Sequence, residues 1–317
     1  MPASEPKYGL VIHGGAGTIL REKLTADLEE QIRHDLTRSL KAGYAVLERG
    51  GPALDAVQAA VNVMEDSPQF NAGKGAVFTH EGANEQDATI ADGATGLAGS
   101  VAGVRRIARP IDLARLVMEK SPHVLLAGSG AEHFASEHGM ELVDSDYFYT
   151  ERRHRQLQEV IDRQHGEGAS GREGMRLSED DKCGTVGAVA LDRDGKLAAA
   201  TSSGGMTNKR WGRIGDSALL GAGTWADNSV AVSTTGHGEY FMRGVTAYDL
   251  AALMTYRAFT VEAAARTVID KLTAAGGTGG LIAIDRRGHI ALPFNTTGMY
   301  RGHIAPGSKA TVAIFGE

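Results

Sequence analysis

The chain has 317 residues, enough to bury one large hydrophobic core or two smaller ones, and its formal net charge is −6. No segment concentrates Lys and Arg, so the charge pattern excludes a basic surface for nucleic acid or for an acidic membrane. Hydrophobic residues make up 42% and charged residues 23%, as in soluble globular proteins, whereas the 42 glycines are about twice the usual share. The glycine content predicts many tight turns and close backbone contacts.

The first seven residues contain no apolar signal-peptide segment, and no run approaches the roughly 18 apolar residues of a membrane span. Cys183 is the single cysteine, which excludes an internal disulfide and any multi-cysteine metal site. We therefore expect a cytoplasmic protein that has neither a membrane nor nucleic acid as its partner.

The first half of the chain predicts a strand, two helices, two strands and further helices, in that order. An apolar strand at residues 10–12 is expected to end in a glycine turn at residues 13–17, and a glycine-punctuated loop at 70–78 to enter a strand. Periodic apolar residues and their flanking Gly and Pro residues predict helices at about 23–49, 52–66, 110–120 and 123–138. Small residues predict strands at 87–93 and 99–104.

The composition changes from residue 151 to residue 182. A helix is predicted to about residue 163, followed by a polar, Gly-rich segment at 166–174 that could not anchor a core, so we predict a flexible linker at about 164–184. The second half predicts strands at 185–191, 196–201, 229–234, 281–284 and 289–292, and helices at 240–256 and 260–275. Its hairpins predict largely antiparallel sheets. The fold class is α/β, or α+β by strand order, with two stacked sheets between helix layers.

Thr185 stands where the predicted linker meets a strand. A threonine hydroxyl is a weak nucleophile unless a base lies beside it, and an α-amine with a pKa of about 7.7–8.0 could serve if Thr185 were the first residue of a chain. Gly184 would permit a strained backbone at the bond to be broken. From spacing alone, the favoured interpretation of Thr185 is an ordinary strand residue after a loop.

Ordered motifs are spread over nearly the whole chain. They are HGGAG at 13–17, FNAGKG at 70–75, SPHV at 121–124, GTVGAVALD at 184–192, TSSGGMTNK at 201–209, GRIGDS at 212–217, TGHGE at 235–239 and LPFNT at 292–296. Together they closely resemble the plant-type L-asparaginase and isoaspartyl peptidase family. Members of that family are N-terminal nucleophile hydrolases with an αββα sandwich.

The resemblance implies that the precursor cuts itself between Gly184 and Thr185. Residues 1–184 would then form an α subunit and residues 185–317 a β subunit, joined in one folded unit and paired as an (αβ)2 assembly. Thr185 would be the nucleophile in self-cleavage and in catalysis. The implied reaction is hydrolysis of the side-chain amide of L-asparagine and of β-aspartyl (isoaspartyl) dipeptides, which releases L-aspartate.

The resemblance also assigns roles to the substrate-facing residues. Arg213 and Asp216 would hold the α-carboxylate and the α-ammonium of the substrate, although alone they could be a surface ion pair. Thr235 and Gly236 would form the oxyanion hole. Gly238, on the same loop, would let the substrate approach, and these glycines could also serve turn geometry alone.

Further implied residues surround the nucleophile. Asn71 would hold its amine, and Ser203 and Thr207 would supply nearby hydroxyls. The family usually has threonine where Ser203 stands, so the methyl group that fixes the rotamer is missing here.

The resemblance implies no organic cofactor but a structural sodium ion that fixes the loop carrying Asn71. Its ligands would be the backbone carbonyls of Met64, Glu65, Ser67, Phe70, Ala72 and Lys74. The histidines show no metal-binding spacing, and nothing in the spacing of His13 or His237 demands a ligand or a base.

Two alternatives remain at this point. A related glycosylasparaginase would act on sugar-linked asparagine, against which the absence of a signal peptide and disulfides argues. A non-catalytic α/β module could instead use its glycine loops to bind a nucleotide or an amino acid.

Overall fold

The computed structural model describes residues 8–166 and 184–316. The strands are β1 (Gly9–Gly17), β2 (Gln86–Asp92), β3 (Ala98–Val104), β4 (Leu125–Ala127), β5 (Val186–Leu191), β6 (Leu197–Ser203), β7 (Thr224–Ala226), β8 (Val230–Gly236), β9 (Gly279–Asp285), β10 (Ile290–Ala291), β11 (Gly298–Ile304) and β12 (Thr311–Phe315). The helices are α1 (Ala26–Glu48), α2 (Ala53–Glu65), α3 (Pro110–Lys120), α4 (Gly128–Glu137), α5 (Glu151–Gly166), α6 (Gly238–Gly244), α7 (Thr246–Arg257) and α8 (Val261–Ala274).

The strands form two sheets. The eight-stranded sheet has the order β12-β11-β1-β5-β6-β2-β3-β4, and the four-stranded sheet has the order β10-β9-β8-β7. Every pairing is antiparallel except that of β3 with β4. The predicted fold class, two largely antiparallel sheets between helix layers, is confirmed.

Three apolar layers hold the sandwich together. Helices α1, α2 and α3 pack on the outer face of the large sheet, and α7 and α8 pack on the outer face of the small sheet. A third cluster, which includes Val11, Val189 and Ile282, fills the space between the sheets. Because β5 pairs with β1 and β6 and packs against α2 and β8, the strand that follows Thr185 is covered on both edges and both faces.

Helix α1 shows how local sequence positions the large sheet. The Thr25 hydroxyl accepts the backbone N–H of Leu28 and so caps the helix, which buries Ile32, Leu36 and Leu40 at helical spacing. Gly43 faces α2, and a Cβ there would lie 2.6 Å from the Ala56 carbonyl oxygen. The glycine therefore permits close packing of α1 on α2.

Several predicted elements differ from the observed ones. The glycine motif at residues 13–17 is not a turn but the second half of β1, which carries an irregularity between His13 and Gly15. The helix predicted from residue 123 begins only at Gly128, because residues 125–127 pair with β3. The segment 70–78 enters no strand: it contains a 3-10 turn at Gly73–Gly75 and only isolated bridges near its end.

The second half also departs from the prediction. The helix predicted at 240–256 is split into α6 and α7 by Val245, whose φ of 45° is left-handed. Strands β7, β11 and β12 were not predicted. The short β7 and the sheet-edge strand β12 give little alternation of apolar and polar residues, which explains their weak signal.

The predicted linker lies only partly within the described residues. Helix α5 continues to Gly166, so the first residues of the segment 164–184 are helical. Residues 167–183, with Cys183 and most of the Gly-rich segment, lie outside the described residues. Within the described ranges, no helix combines the length and the apolar character needed to cross a membrane.

Candidate active site

Thr185 lies immediately before β5 and is buried between the two sheets, and each of its polar groups has a partner on a different strand. Its hydroxyl donates to Ser203 Oγ on β6 at 3.0 Å, and its backbone N–H donates to Thr235 Oγ1 on β8 at 3.2 Å. Its carbonyl oxygen is 2.9 Å from Nδ1 of His13 on β1. The strand framework therefore fixes the residue predicted to be the nucleophile.

The bond predicted to be cut lies against a second glycine segment. A Cβ on Gly184 would be 2.3 Å from the Gly15 Cα, and a Cβ on Gly15, where φ is +116°, would be 2.5 Å from the Gly184 Cα. Such distances admit no side chain on either residue. A cavity of about 130 Å³ adjoins this contact and is lined by residues of the 14–19 and 69–71 segments and by Arg152 and Arg153.

Behind Thr185, a buried set of side chains joins the sheets. His13 Nε2 is 2.8 Å from Ser233 Oγ, which lies 2.7 Å from Thr201 Oγ1, and Thr224 Oγ1 donates to Thr201 at 2.6 Å. Burial lowers the pKa of His13 to about 3, against a smaller opposing effect of the hydrogen bond to Thr185. His13 is therefore neutral near pH 7, with Nδ1–H donating to the Thr185 carbonyl.

Ser203 connects the nucleophile to a tight turn. Its Oγ also accepts the backbone N–H of Gly205 at 2.9 Å. The Asn71 side chain donates to the Gly205 carbonyl at 2.7 Å and accepts the N–H of Val77 at 3.0 Å. Asn71 thus holds the turn that follows Ser203. Thr207, on the same loop, is fully buried.

Thr235 and Gly236 lie at the end of β8, beside Thr185. Thr235 Oγ1 accepts two backbone N–H groups, those of Thr185 and of Ala16 at 3.0 Å, so its own proton remains to donate. Gly236 has a φ of +143°, and a Cβ there would be 2.4 Å from the Thr278 carbonyl oxygen. Only glycine fits this end of the strand.

Arg213 and Asp216 form a second group around Gly238. A Cβ on Gly238 would be 2.5 Å from Asp216 Oδ1 and 2.7 Å from Arg213 Nη2. Thr234, the neighbour of Thr235, donates its hydroxyl to Asp216 Oδ2 at 2.9 Å. The two predicted substrate-binding side chains therefore meet beside the strand that carries Thr235.

The charges of this group are shaped by burial and by Glu239. Burial raises the pKa of Asp216 to about 6, although Arg213 and Thr234 oppose that rise. Glu239 accepts Arg213 Nε at 3.0 Å and Arg213 Nη2 at 3.1 Å. Burial disfavours the charge of Glu239, but hydrogen bonds from His237 and the Arg213 guanidinium hold its pKa well below the usual range.

The predicted sodium loop curls around the 3-10 turn Gly73–Gly75. A Cβ on Gly73 would be 2.1 Å from the Glu65 carbonyl oxygen, and a Cβ on Gly75 would be 2.0 Å from the Phe70 carbonyl oxygen. Each of these two oxygens, both in the predicted ligand set, therefore lies against a glycine of the turn. Among the described residues, no cluster of His, Cys, Asp and Glu side chains could hold a metal ion.

The structure therefore brings Thr185, Ser203, Thr235 and Gly236 together and places Arg213, Asp216 and Gly238 beside them. It adds residues that the sequence did not single out: His13, Ser233 and Thr201 behind the nucleophile, and Glu239 on Arg213. The sequence signal for His13 was a histidine that ends an apolar run, a position where a buried polar side chain needs a partner.

Comparison with known proteins identifies the family of the chain. A family model described as asparaginase matches residues 6–314. The isoaspartyl peptidases of Escherichia coli and Salmonella typhimurium are each 51% identical over 313 residues, which cover 98% of this chain and 97% and 99% of theirs. The chain belongs to the asparaginase family. The human isoaspartyl peptidase/L-asparaginase is 41% identical over 92% of this chain and 91% of its own.

Membership of the asparaginase family confirms the resemblance inferred from the ordered motifs and makes the chain a hydrolase. The alternative of a non-catalytic binding module is therefore wrong. The residue roles and the division at Gly184 stay predictions, and the following proposal uses them.

Proposed function

We propose that this chain is an autoprocessing isoaspartyl peptidase and L-asparaginase that releases L-aspartate from β-aspartyl dipeptides and from L-asparagine. The observation that carries the proposal is the position of Thr185, whose hydroxyl, N–H and carbonyl are each held by a separate strand next to Arg213 and Asp216. The names of the similar proteins support the same substrates.

Self-cleavage begins when Thr185 Oγ attacks the carbonyl carbon of Gly184. The hydroxyl gives up its proton, the C–N bond breaks, and the amide nitrogen takes a proton and becomes the free α-amine of Thr185. The resulting ester between Gly184 and Thr185 Oγ is then hydrolysed by water. Ser203 fits this step because it already accepts the hydrogen bond of the attacking hydroxyl.

Substrate hydrolysis uses the same hydroxyl. The freed amine of Thr185 takes the proton as Oγ attacks the β-carbonyl carbon, and Thr235 O–H and Gly236 N–H donate to the oxyanion that forms. Collapse of the tetrahedral intermediate expels ammonia or the amine of a peptide, protonated by the Thr185 ammonium. Water then hydrolyses the acyl ester and frees L-aspartate.

The zwitterionic end of the substrate is held by opposite charges. The α-carboxylate faces Arg213, and the α-ammonium faces Asp216, which must be ionised to accept it. Asn71 supports the turn after Ser203 and, in the processed protein, the new amine.

Assembly and ion binding complete the proposal. Residues 1–184 and 185–317 stay together as α and β subunits, because β1 and β5 are adjacent strands of one sheet, and two such units form an (αβ)2 assembly. A sodium ion on the carbonyls of Met64, Glu65, Ser67, Phe70, Ala72 and Lys74 would hold the loop that carries Asn71. The positions of the Glu65 and Phe70 carbonyl oxygens, each against a glycine of the Gly73–Gly75 turn, support this site.

A denaturing gel and an activity assay test the proposal together. The purified protein should separate into two fragments that part between Gly184 and Thr185, and it should release aspartate from a β-aspartyl dipeptide and ammonia from asparagine. Thr185→Ala should remain one chain, and Thr185→Ser is the matched variant that keeps a hydroxyl. A wild-type chain that stays intact on long incubation and releases neither product would overturn the proposal, and release from glycosylasparagine alone would assign a different substrate.

A further inference from the structure

We propose that Lys209 supplies a second cation to the α-carboxylate site, beside Arg213, so that the carboxylate is bound between an ammonium and a guanidinium. This inference rests on the proposed function, since it concerns substrates that carry a free α-carboxylate. Lys209 would act as a specificity-determining residue that contacts the substrate and takes no part in proton transfer.

The first observation is the hydrogen bonding of the buried Lys209 ammonium. The residue is only 5% exposed, and its ammonium donates to the Glu85 carbonyl oxygen at 2.7 Å. That carbonyl is its one hydrogen-bond acceptor among the described residues, although an ammonium has three N–H groups. A buried cation with unused donors is costly unless an anion joins it.

The second observation is the distance from Lys209 to Arg213. The Lys209 Nζ lies 3.0 Å and the Arg213 Nη1 lies 3.3 Å from the position that a Cβ would take on Gly205. The two nitrogens are therefore no more than 6.3 Å apart, a span that one carboxylate can bridge with a hydrogen bond of about 2.8 Å to each. Gly205 has a φ of +78° and carries no side chain into this space.

The third observation is that Glu239 already occupies one edge of Arg213. Glu239 takes the Nε and Nη2 groups in a bidentate pair, and Nη1 is the nitrogen that lies near Gly205 and Gly215. The edge formed by Nε and Nη2 is thus held by the protein itself. A carboxylate that approaches Nη1 gains a second strong donor from Lys209.

Gly205 lies between this pair of cations and the nucleophile Thr185 and connects their positions. The Gly205 N–H donates to Ser203 Oγ, which accepts the Thr185 hydroxyl. One short turn therefore sets the distance between the carboxylate anchor and the attacking oxygen. Such an arrangement selects for an aspartyl group whose α-carboxylate and β-carbonyl stand a fixed distance apart.

Electrostatic effects on Lys209 agree with this geometry. Burial lowers the pKa of Lys209, and Arg213 and Arg105 lower it further, whereas Asp87 and Glu85 raise it. Asp87 is itself fully buried and accepts the N–H groups of Gly103 and Gly215 at 2.9 Å. A purely structural role for Lys209, as the counter-charge of Asp87, is the competing explanation.

The test compares Lys209→Met, Lys209→Gln and Lys209→Arg with the wild-type protein, and Lys196→Met, a change of the same kind at an exposed turn, is the control. We expect Lys209→Met to raise KM for a β-aspartyl dipeptide, and the inhibition constant of L-aspartate, by about ten- to one-hundredfold. The value of kcat should change less than threefold. Self-cleavage should proceed at the wild-type rate, because the bond after Gly184 involves no free α-carboxylate. Lys209→Arg, which keeps the charge, should recover part of the affinity.

Two results would overturn the inference. One is a KM within twofold of the wild-type value in the Met and Gln variants. The other is a parallel loss of self-cleavage, kcat and thermal stability in both, which would assign Lys209 to the fold. If Lys209→Met fails to fold, Lys209→Gln, which keeps an N–H donor for Glu85, decides. A wild-type protein without activity on either substrate refutes the proposed function instead, so the two failures are distinguishable.

Discussion

Replacing the buried His13 by Asn should change how the free energy of unfolding depends on pH. Burial lowers the pKa of folded His13 to about 3, whereas the unfolded residue has the ordinary value of 6.5. Below pH 6.5 His13 is protonated in the unfolded chain but stays neutral in the folded chain. Its contribution to the free energy of unfolding is therefore fully present above pH 6.5 and decreases as the pH falls. Between pH 8 and pH 5 the loss is about 2 kcal/mol, at 1.36 kcal/mol for each pKa unit.

His13→Asn keeps a donor near the Thr185 carbonyl but leaves Ser233 without the imidazole, so it should be less stable than wild type at pH 8 by about 1–3 kcal/mol. Because Asn does not titrate, the difference in free energy of unfolding between the wild type and His13→Asn should be smaller by about 2 kcal/mol at pH 5 than at pH 8. Urea unfolding in a Thr185→Ala background, where the chain remains continuous, measures this difference in free energy at each pH. His34→Asn, at an exposed position on α1, is the matched control. A difference equal at the two pH values would refute the assignment of His13 as a buried neutral group.

Three further predictions concern the site itself. Ser203→Ala leaves the Thr185 hydroxyl and the buried Gly205 N–H without their acceptor. We expect self-cleavage, followed on gels, to slow by about tenfold or more, and the thermal midpoint, taken from melting curves, to fall by a few degrees. Ser203→Thr should restore both the rate and the midpoint. The Thr185 amine, with its ordinary pKa of about 7.7–8.0, should make kcat/KM fall once as the pH decreases below about 8. Burial raises the pKa of Asp216 to about 6, and the protonated acid cannot face the substrate ammonium, so the fall of kcat/KM should become steeper below about pH 6. Asp216→Asn should lower kcat/KM at pH 8 and lack this second step of the profile. Gly238→Ala places a methyl group against Asp216 and Arg213 and should raise KM by about tenfold or more without slowing self-cleavage; a KM equal to that of the wild type would contradict the arrangement.

Periodicity and capping signals predicted most of the elements that carry the site. The predicted helix at 110–120 matches α3, and the hairpin that follows Thr185 matches β5 and β6 with small shifts of boundary. These elements are specified locally, by a Pro at the helix start and by a turn between two apolar runs. Strand β11 was missed because its pairing with β1 links residues almost 300 positions apart in sequence, which no local pattern encodes. Strand β12 pairs only with β11, at the edge of the sheet, so it was missed together with its partner.

The site was predictable to the extent that its residues stand in recognisable motifs. Thr185, Ser203 and Thr235 could be named from the sequence, whereas the contacts of Glu239 with Arg213 and of His13 with Ser233 could not. Those contacts join residues on different loops or on opposite sheets, and only the fold decides which polar groups meet. The glycine segment at 13–17 illustrates the limit, since glycine favours turns but here permits the backbone of β1 to touch Gly184.

The buried contacts of His13, Ser233, Thr201 and Thr224 also settle how the two sheets sit on each other. An interface of aliphatic side chains alone tolerates small translations, because dispersion forces have little direction. Hydrogen bonds need defined distances and angles, and these run from β1 and β6 of one sheet to β8 and β7 of the other. Gly187 leaves the space they need, since a Cβ there would lie 2.0 Å from Ser233 Oγ. These hydrogen bonds therefore fix the relative position of the two sheets and prevent one sheet from sliding over the other.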